Sequence, residues 1–68
     1  MNWISRGAPI TLDVTIRPIT GERGGVVTFE GAPCIEVWMP ADTTDEKLRI
    51  VAESEAFSKI ADLLAADT

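Results

Sequence analysis

Ile10-Thr11-Leu12-Asp13-Val14-Thr15-Ile16-Arg17 alternates apolar and polar residues without a break. That period of two predicts a strand over 10–17 with Ile10, Leu12, Val14 and Ile16 on a buried face and Thr11, Asp13, Thr15 and Arg17 on a wet one. Pro9 and Pro18 bracket the run, in keeping with proline's inability to donate within a sheet ladder. Beyond it, Ile19 to Gly25 contains Gly21, Gly24 and Gly25 and is read as a loop.

Alternation resumes twice. Residues 26–30 place Val27 and Phe29 inward and Val26, Thr28 and Glu30 outward. Gly31-Ala32-Pro33 is read as a turn, after which residues 34–39 place Ile35, Val37 and Met39 inward and Cys34, Glu36 and Trp38 outward. Short connections between such strands give an antiparallel meander.

Toward the C-terminus the period changes. Phe57, Ile60, Ala61 and Leu64 recur at helical spacing behind Ser54, a suitable N-cap, so a helix is expected over 55–66. Residues 41–53 admit two readings. Thr43 and Glu46 have capping-box spacing, which favours a helical turn at Thr44 to Lys47, whereas Leu48, Ile50 and Ala52 alternate as a fourth strand over 48–52 would. The pattern argues against a single helix from Thr44 to Ala66, because Arg49 and Glu53 would share a sector with Ile60. The expectation is an α+β domain spanning 1–68, with an antiparallel sheet of three to four strands under a C-terminal helix; the rival is three strands and two helices. Truncation of the buried ring, Phe57→Ala, is expected to cost about 3 to 5 kcal/mol.

Composition bounds the chemistry. Of 68 residues none is histidine or tyrosine and one is cysteine, while eleven acidic groups face six basic ones. Without histidine the side chain that titrates unaided near neutrality is missing, and a serine or Cys34 nucleophile has no imidazole base. One cysteine with no histidine cannot make a zinc site or an intrachain disulfide. The chain is therefore expected not to be an enzyme and to need no cofactor or metal. The lone thiol and the absence of an apolar leader in Met1 to Gly7 suggest the cytoplasm, and no run has the length of a membrane span.

Three local patterns have bland alternatives. Gly21-Glu22-Arg23-Gly24 spells the GxxG of a nucleic-acid clamp, but between strands it reads as a hairpin loop. Asp42, Thr44, Glu46 and Glu53 fall at calcium-loop spacing, yet Lys47 stands where that loop needs glycine. Asp13, Glu30 and Glu36 could pair as carboxylates, though a domain this small has little room for a deep cleft.

Trp38 is the informative side chain, because alternation leaves an indole on the wet face and tryptophan is enriched at binding hot spots. With Val26 across from it, it would form an apolar patch ringed by Asp13, Glu30 and Glu36. Two other readings stand open: Trp3 and Ile4 folded back over Trp38 as a second small core, or a homodimer through this face. Charge adds a second feature. Four of the five net negative charges fall in residues 41–68, where Asp42, Asp45 and Glu46 cluster before the expected helix. A negative field repels phosphate and draws cations, so the expected partner is a larger protein with a basic surface rather than nucleic acid or membrane.

In size, acidity and lack of catalytic residues the chain resembles the small inhibitors of phages and mobile elements, including anti-CRISPR proteins and DNA mimics. The resemblance covers overall character and carries over no site residue. It implies blocking of a nucleic-acid-binding surface on a defence complex, with carboxylates where phosphates would lie; a net charge of −5 also leaves room for blocking by shape. The alternative function is an antitoxin-like or structural accessory subunit, such as a small phage protein, that binds through its sheet edge or helix.

Overall fold

The fold, seen in a computed structural model that describes residues 1–66, is α+β: an antiparallel sheet with one helix laid across it. The strands are β1 (Asn2–Ser5), β2 (Ala8–Leu12), β3 (Thr15–Ile16), β4 (Arg23–Phe29) and β5 (Ala32–Met39), followed by α1 (Asp45–Ala66). β4 lies at the centre, with β5 on one side, β2 and β3 on the other, and β1 outside β2.

The expected strand over 10–17 is thus two pieces in a single register, since Leu12 pairs with Val27 and Thr15 with Gly24. Asp13 and Val14 interrupt it where the Asp13 carbonyl closes on Gly25, at whose Cα any Cβ would lie 2.3 Å from that oxygen. Pro9 falls inside β2, paired with Ile4 of a strand that the expected meander lacked. The glycines at 24 and 25 belong to β4 and not to a loop.

Both flanking hairpins turn on two residues, Arg6-Gly7 and Glu30-Gly31, whose φ values of 52, 80, 50 and 85° are the positive pairs that tight hairpins require. The turn expected at 31–33 therefore sits one residue earlier. From Glu30-Gly31 the ladder starts with Phe29 opposite Ala32 and Thr28 opposite Pro33, and then slips by one residue so that Val27 faces Ile35. Without that bulge at Cys34 every later side chain of β5 would point to the opposite face. The bulge returns Ile35, Val37 and Met39 to the helix side, as alternation requires, and carries Cys34 there too: its Sγ lies 4.0 Å from the Ala56 carbonyl oxygen. The expected outward position of Cys34 is corrected on that ground.

The largest correction concerns 41–66. Residues 48–52 are not a strand, and the helix does not begin at 55; one helix of 22 residues runs from Asp45 to Ala66. Thr44 caps it, its hydroxyl accepting from the Lys47 N–H at 3.2 Å while its carbonyl accepts from Leu48 at 3.0 Å. Ser54 is an exposed mid-helix residue. The objection to one long helix fails because its contact stripe rotates. Leu48, Ala52 and Ala56 are fully buried at intervals of four, a spacing that drifts round a 3.6-residue helix. Arg49 and Glu53, 3.7 Å apart, lie beside that stripe as an ion pair.

α1 packs mainly on β5, then β4 and β2. The alanines bring its backbone close to Ile10, Leu12, Val27 and Val37, which complete the core with Leu48. Phe57 is half-buried, edge-on to Phe29 with ring centres 5.6 Å apart and with the Arg6 guanidinium 4.4 Å from its own ring. Past Phe57 the helix outruns the sheet, and Leu63 and Leu64 are 55% and 64% exposed. No helix among the described residues is long and apolar enough to cross a membrane.

Candidate protein-binding face

One face of the sheet carries the helix and the other is open. On the open face a depression of about 310 Å3 is lined by Asp13, Thr15, Gly25, Val26, Thr28, Glu36 and Trp38. Its construction follows from register. Val26 pairs with Glu36, and Asp13, held between Leu12↔Val27 and Thr15↔Gly24, stands on the other side of Val26. A half-exposed valine is thus flanked by two exposed carboxylates. Neither carboxylate has an ion-pair partner among the described residues.

Trp38 occupies the next row. It stands opposite Gly24, not Val26 as a hairpin turning at residues 31–33 would have it. Gly24 offers no side chain to fill that row, and Arg17 reaches from beyond β3 to stack its guanidinium 3.9 Å from the indole centre. Arg17 is itself 3.6 Å from Glu22. The stack explains why a tryptophan on the open face is only half exposed. Its Nε1 is buried and has no hydrogen-bond acceptor among the described residues. Trp3 cannot be what covers it: paired with Ile10, it faces the helix side and packs on the core, while Ile4 is 69% exposed.

Of the seven residues proposed from sequence, Asp13, Glu36 and Trp38 come together here. Glu30 does not, because it is the first residue of the β4–β5 turn rather than the last of a strand. Asp42, Asp45 and Glu46 gather at the start of α1, in the other layer, where acidic groups favour a helix N-terminus. Asp45 is already engaged by Arg23 at 2.6 Å, whose other terminal nitrogen donates to the Thr43 carbonyl. That clamp ties the start of the helix to β4.

Sequence reasoning missed Thr15, Thr28 and Arg17. Arg17 was legible as a member of the wet set in 10–17; its reach to Trp38 was not, since that depends on the bulge and on Gly24. The two spaced patterns also resolve. Arg23 and Gly24 of the GxxG stretch lie within β4, and Glu46 and Glu53 of the calcium spacing both lie on α1. Among the described residues no three His, Cys, Asp or Glu side chains gather as cation ligands. No protein-family model matches the chain, and no curated protein and no solved structure matches it.

Proposed function

We propose that this chain is a non-catalytic binding module whose open sheet face covers a basic site on a larger protein or complex. The observation that carries this reading is the row Asp13–Val26–Glu36, two exposed carboxylates with no ion-pair partner among the described residues, on either side of an apolar floor. A cationic side chain entering the depression finds opposite charge on both flanks, and the apolar stem of a lysine or arginine finds Val26 beneath it. A net charge of −5 steers such a partner in and keeps phosphate away. Blocking of a nucleic-acid-binding surface, as small phage-borne inhibitors do it, is the role we assign to this chemistry.

The experiment is capture of binding proteins from a bacterial lysate at low and high salt, with the wild type and an Asp13→Asn/Glu36→Gln double variant. A partner held by this face is lost at high salt and lost by the double variant at low salt. Capture that neither salt nor the variant disturbs refutes the reading. It would favour the second one, an accessory subunit docking through the helix end, for which the exposed Leu63 and Leu64 are the specific observation.

A further inference from the structure

The sheet has one long free edge. β1 and β3 offer four and two residues, whereas β5 has eight and pairs with β4 alone among the described residues. Proteins guard such edges with proline, bulges and charge, because unpaired N–H and C=O groups will template another strand. β5 is guarded over its first part only. Pro33 has no N–H to offer and the bulge at Cys34 distorts the line. From Ile35 to Met39 no proline or bulge intervenes, and the one charged residue is Glu36.

Both sides of this unguarded half are grooved. Glu36 and Trp38 belong to the open-face depression, and they also line a groove of about 220 Å3 that turns over the edge to Val37, Met39, and Val51 and Glu55 of α1. A strand added beside β5 sends alternate side chains to the two faces. One set would lie beside Glu36 and Trp38; the other would enter the groove against Met39 and Val51, with Glu55 at its side. Each set therefore meets a carboxylate.

We propose that Ile35–Met39 takes up an extended cationic segment of the partner as an additional strand, with lysine or arginine beside Glu36 and aliphatic residues against Met39 and Val51. Main-chain hydrogen bonds would supply affinity, and the two grooves selectivity. The proposal rests on the reading of the partner as basic and adds how it is held. A second copy is disfavoured as occupant, since pairing two β5 edges would bring two sets of Glu36 and Glu55 to one seam between chains each of net charge −5.

The test uses the full chain, labelled for amide NMR, with three synthetic probes: acetyl-Lys-Val-Lys-Val-Lys-amide, its counterpart with glutamate for lysine, and the lysine peptide N-methylated at alternate residues. The expected result is binding of the lysine peptide with slowed exchange of alternate amides between Ile35 and Met39. N-methylation should weaken it by about tenfold or more, and the glutamate peptide should bind only to the Glu36→Lys variant. Equal binding of the methylated peptide, with shifts confined to Asp13, Val26 and Glu36, would overturn strand addition while leaving the acidic-face reading standing. No binding of the lysine peptide beside salt-sensitive capture of a lysate partner would have the same meaning. Indifference to probe charge, or self-association of the chain alone with these amides protected, would overturn the cationic occupant.

Discussion

At position 24 the absence of a side chain sets how closely β4 and β5 approach and what Trp38 can stack against. A Cβ on Gly24 would lie 1.8 Å from the Val37 carbonyl oxygen, a collision with backbone that no rotamer can relieve. Gly24→Ala is therefore expected to cost at least about 3 kcal/mol, read as a lower urea midpoint. Gly31→Ala supplies the comparison. Nothing lies within 4 Å of a Cβ there, and the cost is that of a left-handed φ of 85°, about 1–2 kcal/mol. Equal losses at the two sites would mean that the strands part readily. These residues also mark where sequence reasoning stopped. Gly24 and Gly25 look like loop residues in a string of letters because the need for glycine comes from neighbours on other strands. Glu30 looked like the end of an alternating strand because alternation cannot show that φ turns positive there. Asp13, Glu36 and Trp38 were legible on one face because each follows an apolar residue whose inward direction was plain.

Among the elements, the strands were largely readable and the helix was not. Period two survives small errors at strand ends, and the bulge at Cys34 preserved the inward set Ile35, Val37 and Met39 even though its position was invisible. α1 was cut in half because a stripe of fixed angle was assumed, whereas the sheet beneath is twisted and needs only local contact. Leu48, Ala52 and Ala56 form that contact, and two alanines give a weak signal in any hydrophobic pattern. The burial lowers the cost expected at Phe57 and puts Leu48 above it. Leu48 is 0% exposed and Phe57 only half-buried, so Leu48→Ala should cost about 3–4 kcal/mol and Phe57→Ala about 2. Paired chemical-denaturation curves decide this. A larger loss at Phe57 would place the centre of the core at the Phe29 contact. At the cap, Thr44→Ala should cost about 1 kcal/mol, and Ser54→Ala should cost nothing measurable; a cost at Ser54 would restore the helix break expected from sequence.

At the scale of the whole molecule, helix and sheet differ in length. The helix of 22 residues spans about 33 Å at its standard rise, while β5, the longest strand and the one it mainly packs on, has eight residues and spans about 27 Å. The α+β class and the two-layer arrangement were legible because a period of two followed by one of 3.6 admits few other packings; the overhang was not, since it depends on where the helix begins. Its consequence for stability and for binding can be separated in one truncation. Removal of residues 62–68 takes away Leu63 and Leu64, both mostly exposed, and leaves Leu48, Ala52, Ala56 and Phe57 in place. The shortened chain should melt in one transition within about 7 °C of the full chain, the shift expected from a loss of no more than about 1 kcal/mol in a domain this small. Its salt-sensitive capture of a basic partner should persist, because Asp13, Glu36 and Trp38 sit on the opposite face. Intact folding with lost capture would move the binding surface to the helix end. Lost folding would show that the last turns pack on the domain more tightly than their exposure indicates.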